Sequence, residues 1–293
     1  MRLSEVAPDL AKQTVADAVT IGVMSQPEDI CLLRHDGSGK NAFKNPLSFR
    51  YLDDNFIESD AVKIGKTFMD YLKKTKDPRI HVYCSLKDGN TEFDKQFGLP
   101  NGYDSHTIAD APSGSFVGLE NTSNFNINTI LRLDAPTIFL MPSETKLLLA
   151  EAVLRNWTNG NAEVLYKEAI TSSMKEQEIA YGTQGKITDE EIETYLAQNL
   201  FSTANNTEKL QIIGEQYWVA TFINGYESYA NWRRTGYPKL IPTNYSGSMS
   251  PGVIPTRLPY PTDEYSINRA NVDTANQQQG ADKVTTHIWW DID

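Results

Sequence analysis

The sequence predicts a mainly α fold in which tetratricopeptide-like helical hairpins carry a loop-rich layer and few short strands. Three observations lead there. Residues 143 to 181 hold two helical patterns, SETKLLLAEAVLRNW and NAEVLYKEAITSSMKEQEIAY, separated only by Thr158-Asn159-Gly160. Within them the small residues Ala150, Ala152, Ala162 and Ala169 lie beside Leu148, Leu149, Leu165 and Tyr166, a pattern like that of tetratricopeptide helices, whose small residues permit close approach. Residues 86 to 142, by contrast, are punctuated by Gly89, Gly98, Pro100, Gly102, Pro112, Gly114 and Gly118 before any periodicity builds.

Taken in order, Asp9 to about Met24 places Leu10, Val15, Val19 and Ile21 at roughly helical spacing, with Pro27 as its stop. A polar connector, His35 to Asn41, follows. Ser59 is the expected N-cap of a helix to Lys74, with Ala61, Ile64, Phe68, Tyr71 and Leu72 on one face, and Asp77-Pro78-Arg79 ends it. Ile80 to Cys84 is β-rich and bounded by turn residues, which predicts a short strand or extended wall. Gly160 is expected to end the first helix of the 143–181 hairpin in a left-handed conformation. Thr188-Asp189-Glu190-Glu191 has the form of a capping box and starts a third helix. A fourth is expected from Thr207 to about Trp232, ended by Arg233 and Arg234 on its last carbonyls, by Gly236 and by Pro238. The Pro-, Gly- and Asn-rich remainder is expected to wrap the surface as coil. One unit is thus read over 1–293, with an irregular binding loop at 86–142, a helical core at 143–233 and a coil wrap at 234–293.

Twenty-seven Lys and Arg against 38 Asp and Glu leave a net charge of −11. That balance argues against nucleic acid, whose binding rests on cations neutralising phosphates. The N-terminal residues lack the apolar run of a secretory signal, and no stretch approaches the roughly 18 apolar residues of a membrane helix. Cys31 and Cys84 are too few for a disulfide framework and lack zinc spacing.

The sequence offers no catalytic constellation. His35, His81, His106 and His287 are far apart, and no HExxH, GxSxG, P-loop or GxGxxG occurs. Asp53, Asp54, Asp263, Glu264 and Asp291 can be paired on paper, but with 38 acids solvated charge is the plainer account. Asp88, Asn90, Glu92 and Asp94 alternate like early calcium ligands, yet Phe93 stands where such a loop needs glycine. Neither a cofactor nor a metal is expected.

Aromatic residues stand out, with 14 Tyr, 11 Phe and 5 Trp. Those on helices, including Phe68, Tyr71, Tyr217, Trp218 and Phe222, fall on apolar faces and read as core. Phe97, Tyr103, Phe116 and Phe125 lie in the irregular stretch among Asn101, Asp104, Asn121 and other short polar residues. Rings beside amides and carboxylates are the means of carbohydrate recognition, the faces stacking on pyranose C–H groups while polar groups bond the hydroxyls. Composition alone equally allows these rings to pin a long loop to the body, and favours that plainer account.

Several strings then form a recognisable set. The hairpin from Glu144 to Met174, ITDEEIETYLAQ (187–198), NGYESYANWRRTGYPKL (224–240), RLPYPTDEYSINRANV (257–272) and GADKVTTHIWWD (280–291) resemble, in order, the C-terminal part of the SusD/RagB family. RLSEVAPDLAK near the start and Asp77-Pro78-Arg79 fit as well. The likeness is greatest to its SusD-like branch of starch-binding proteins associating with the outer membrane. The resemblance implies an outward-facing outer-membrane lipoprotein, not an enzyme, that captures glycans, or in some branches peptides, for a SusC-like TonB-dependent transporter.

Members ordinarily begin with a signal peptide, a lipidated cysteine and further tetratricopeptide-type helices, none of which lies before Met1. The chain is therefore expected to be a truncated product or processed remainder whose exposed helix faces favour association with another chain. The expected function is non-catalytic oligosaccharide capture, with stacking on Tyr103, Phe116 or Phe125 and hydrogen bonds from Asn101, Asp104 and Asn121. A peptide-capturing relative and a structural fragment without binding of its own are the alternatives.

Overall fold

The computed structural model describes residues 1–38, 40–53, 63–103, 106–201, 205–244 and 248–291. The predicted positions Ser59, Ala61 and Asp54 lie outside them. Helix α1 (Pro8–Ile21) carries Pro8 in its first turn, where the missing N–H costs nothing, and stops at Gly22 (φ 112°) rather than at Pro27. Strand β1 (Cys31–Leu33) and helix α2 (Pro46–Asp53) follow, neither of them foreseen. Helix α3 (Lys66–Thr75) overlaps the predicted span, runs one residue past Lys74 and ends where Lys76 turns left-handed.

The residues from Ile80, expected to be a strand, form instead a single helical turn, α4 (Ile80–Tyr83), and only β2 (Cys84–Ser85) is extended. The cause lies just before it. Asp77 Oδ1 accepts from the Arg79 backbone N at 3.0 Å, so the chain enters a turn that Tyr83 N closes on Arg79 O at 2.9 Å. Strand β3 (Asn124–Phe125) pairs antiparallel with β2, Cys84 opposite Phe125. Strand β4 (Thr137–Leu140) pairs antiparallel with β1.

Helices α5 (Pro142–Leu154) and α6 (Ala162–Tyr181) form the foreseen hairpin, the most extensive helix contact in the chain. Asn161 caps α6, its side chain accepting from Glu163 N and Val164 N. The left-handed residue after α5 is Asn156 (φ 59°), not Gly160, whose φ of 149° is outside that region. Buried Glu176 on α6 accepts from Ser143 N at 2.8 Å and from the Ser143 and Ser172 hydroxyls, tying the start of α5 to α6.

Helix α7 (Asp189–Gln198) starts at the Thr188/Glu191 capping box. The single helix expected from Thr207 is two, α8 (Asn206–Ala220) and α9 (Gly225–Thr235). Thr221 Oγ1 bonds back to Tyr217 O at 2.7 Å and Asn224 supplies a fresh N-cap, so apolar periodicity runs on while the backbone breaks. The C-terminal remainder is not all coil. Helices α10 (Thr262–Ile267) and α11 (Arg269–Gln279) interrupt it, since TDEYSI and RANVDTANQQQ contain neither Gly nor Pro.

One apolar core runs from Ile64 and Phe68 through Tyr83 and Leu147 to Tyr166, Ile170 and Tyr217. At its centre the fully buried pair Asp77 and Arg79 is held by Nη2–Oδ2 and Nε–Oδ1 bonds of 2.5 and 2.9 Å. Arg79 also donates to Ser173 Oγ on α6 and to Gln216 Oε1 on α8, while Gln216 Nε2 donates to Tyr195 OH on α7. Arg79, held by Asp77, thus links α6 to α8 directly and, through Gln216, to α7.

Candidate functional site

Adjacent residues on α8 do different things. Tyr217 is buried in the core, whereas Trp218, about 100° further round the helix, is half-exposed. Its indole is braced edge-on by Phe68, with ring centres 4.9 Å apart at 84°, and by Tyr71 at 5.8 Å and 64°. Phe68 is in turn stacked on Phe222 at 4.4 Å. Trp218 is therefore a rigid ring on a rigid support.

It forms part of the wall of a groove of about 510 Å³. The groove is completed by Gly65 and Thr67 at the start of α3, by Asn101, and by segments of the tail at 240–243, 248, 250 and 253–255. Among the described residues none that lines it is charged. Its polar groups are the side chains of Thr67, Asn101, Thr243, Ser248 and Ser250, and apolar Ile241 and Val253 are exposed at the rim.

Backbone geometry positions Asn101. Lys66 N donates to Leu99 O and Leu99 N to Ile64 O, both at 2.8 Å, clipping the 97–103 loop to the start of α3. The approach is so close that a Cβ on Gly98 would lie 2.4 Å from Lys66 Cα. Gly102, at φ 85°, meets Thr243 across the groove end, so Asn101-Gly102-Tyr103 forms one closure.

Of the residues predicted from sequence, Asn101 lines this groove and half-buried Tyr103 stands two residues on, while Asp104 lies outside the described residues. Half-buried Phe116 and exposed Asn121 do not line it. The Asn121 amide donates to Val117 O and Glu120 Oε1, both at 2.9 Å. Phe125 is half-buried in β3 against Tyr51 at 5.9 Å and Phe222 at 5.5 Å. Sequence reasoning missed Trp218 as a site residue. Its place on an apolar helix face read as core, and Trp218 does pack against the core while leaving part of its ring open to the groove.

The other candidates resolve into structure. Asp88 Oδ1 accepts from Asn90 N at 2.9 Å, Asn90 Oδ1 accepts from Glu92 N, and Glu92 pairs with Lys95 at 3.1 Å, which holds its carboxyl below the usual range. Among the described residues no three His, Cys, Asp or Glu are grouped as a metal site. Nor is any helix there long and apolar enough to cross a membrane. Cys31 is exposed, and burial pushes the Cys84 thiol up. The arginines ending α9 do not cap its carbonyls as expected. Arg234 pairs with Glu151 on α5, and Arg233 donates to Thr256 O at 2.9 Å with its guanidinium over Tyr229 and Trp290. Gly236 ends the helix in the left-handed conformation, as predicted.

The family model described as "SusD-like: Susd and RagB outer membrane lipoprotein" matches residues 1–291. A solved structure titled "chitin-binding protein" is 29% identical with a TM-score of 0.81, and the match covers 100% of this chain and 62% of that one. A Bacteroidetes SusD-like protein is 25% identical with a TM-score of 0.80, over 100% of this chain and 67% of that one. A chitin-binding SusD homologue from Flavobacterium johnsoniae, at 24% identity and a TM-score of 0.77 over 100% and 61%, shares the fold. The chain thus spans about 62% of the length of the first of these relatives. No curated protein matches it.

Proposed function

The chain belongs to the SusD-like family of outer membrane lipoproteins, a family of binding proteins and not of enzymes, and from that premise we propose that it captures a neutral glycan without catalysis. One observation carries this reading: a braced, half-exposed indole opens into a groove with no charged lining. The described lining offers an ionic ligand no charged side chain, whereas a pyranose offers an apolar C–H face to Trp218 and hydroxyls to Asn101, Thr67, Thr243 and Ser250. Tyr103, beside Asn101, is proposed as a second stacking ring.

The ligand class to test first is the N-acetylglucosamine oligomers, for two reasons. The relative at 29% identity is titled a chitin-binding protein. Exposed Ile241 and Val253 on the rim also suit the methyl of an acetamido group. A peptide ligand would rely on charged and backbone-pairing contacts, for which the groove offers no charged partner. Delivery to a SusC-like TonB-dependent transporter at the outward face of the outer membrane follows as part of the proposal.

Affinity is expected to be modest and spread over several sugar units, because half-exposed stacking contributes little per ring and the amides must first be desolvated. Titration calorimetry of Tyr103→Ala with chitohexaose tests the site. Weakened binding at an unchanged melting temperature is the expected result, and unchanged binding removes Tyr103 from it.

A further inference from the structure

The terminal string Thr286-His287-Ile288-Trp289-Trp290-Asp291 holds two neighbouring indoles in contrasting states. Trp290 is half-buried beneath cations, with the Arg233 and Arg2 guanidinium carbons 4.5 and 5.6 Å from its ring centre. Trp289 is 68% exposed and meets no ring or cation among the described residues. Burying an indole gains a large apolar contribution, so an indole left in water beside one that is packed is available for something outside the chain.

Trp289 borders a cleft of about 570 Å³ that shares no lining residue with the Trp218 groove. Gln278 and Gln279, at the end of α11, line it, and neither side-chain amide makes a hydrogen bond among the described residues. Tyr260 lines it too, with its backbone N held by both carboxylate oxygens of Asp282 at 3.1 Å. His287 and Asp291 complete it. Asp291 N donates to Ile288 O at 2.9 Å, a tight turn that brings the Asp291 carboxylate to His287, Oδ1 lying 3.1 Å from Nδ1. The Asp291 side chain is 1% exposed, and its Oδ2 is buried with no hydrogen-bond partner among the described residues. The Asp291 carboxylate is thus withdrawn from solvent, and its part at the cleft is to fix the His287 ring.

We infer that this cleft is a second binding site for a neutral, polyhydroxylated ligand, namely a pyranose residue of a glycan. Trp289 supplies the stacking face. Gln278 and Gln279 supply unengaged amide donors and acceptors, and His287 is held in one orientation by Asp291. Among the described residues the lining contains no Lys or Arg, so a phosphate or carboxylate finds no fixed cation, and Asp291 Oδ1 is paired with His287. The inference does not depend on the groove reading, because the two sites are built from different residues.

Fluorine NMR of the full chain labelled with 5-fluorotryptophan tests it, since each of the 5 Trp gives its own resonance. Trp289→Phe and Trp218→Phe assign the two that matter by loss of signal. The probes are triacetylchitotriose and maltotriose, titrated separately into the millimolar range. The expected result is a saturable shift of the Trp289 resonance with at least one sugar, retained in Trp218→Phe and abolished in Gln278→Ala. A Trp289 resonance unmoved by both sugars overturns the second site, whether or not Trp218 responds. Movement of Trp289 alone supports the second site while counting against the groove for these sugars.

Discussion

Arg234 and Glu151 meet inside the protein as a bidentate pair, Nη1 to Oε1 at 2.6 Å and Nη2 to Oε2 at 2.7 Å, with side chains 1% and 4% exposed. Arg155 adds a bond of 2.8 Å to Glu151 and one of 2.7 Å to Glu5, so the end of α9 is anchored to α5 and the N-terminal turn. Burial alone would raise the Glu151 carboxyl, but the two arginines hold it below its usual value. Removing one partner of such a pair leaves the other charge buried and unpaired. Glu151→Ala is therefore expected to cost about 3–5 kcal/mol in urea unfolding, with much of the loss recovered by Glu151→Leu combined with Arg234→Met. A single-variant loss below about 1 kcal/mol would contradict this account of the pair.

Glu144 is the opposite case. Burial, reinforced by the nearby Glu227 carboxylate, pushes its pKa up to about 7, and its Oε1 has no hydrogen-bond partner among the described residues. Between the ordinary carboxyl value of 4.5 and about 7 the folded chain binds more protons here than the unfolded one, so this group's contribution to stability falls as pH rises. By pH 8 the cost is on the order of 3 kcal/mol. Glu144→Gln is accordingly expected to raise the melting temperature at pH 8 and to change it little at pH 5. Equal effects at both pH values in scanning calorimetry would refute the assignment.

Gly214 sits inside α8, where alanine is intrinsically better by about 1 kcal/mol. A Cβ there would, however, lie 2.6 Å from Tyr237 Cβ. Displacing the Tyr237 backbone outweighs the helix gain, and Gly214→Ala is expected to destabilise by about 1–2 kcal/mol. A rise in the urea midpoint would show that the tail accommodates the methyl group at no cost.

Replacing Trp218 separates binding from folding less cleanly, because the ring also packs on Phe68 and Tyr71. Trp218→Ala is expected to weaken chitohexaose binding roughly tenfold or more, about 1.4 kcal/mol, beyond a modest loss of stability. Trp218→Phe, which keeps an aromatic face, is expected to retain part of the binding. Full affinity in the alanine variant, measured well below its melting temperature, would remove Trp218 from the site.

The fold was most legible where local signals agreed. The hairpin of α5 and α6 and the Thr188/Glu191 box involve residues close in sequence, and the structure has both. The failures share a physical cause as well. Ile80 to Tyr83 has strand propensity, but the bond from Arg79 N to Asp77 starts a helical turn there. In the expected fourth helix, Thr221 and Asn224 compete for backbone partners that apolar periodicity ignores.

The candidate site was half legible for a similar reason. Asn101 and Tyr103 could be named because polar loops with rings invite it. The tail segments at 240–243 and 248–255 and the start of α3 come to them only through tertiary approach at Gly98 and Gly102, which no local pattern encodes.

The central claim is capture of a neutral glycan without chemistry, and affinity electrophoresis through soluble polysaccharides, with released reducing sugar measured on the same samples, tests it most directly. Retardation by glycol chitin or another neutral polymer, with no reducing ends released, is the predicted result. Unretarded migration through every polymer, or release of reducing ends that disappears when one carboxylate is replaced, would contradict it.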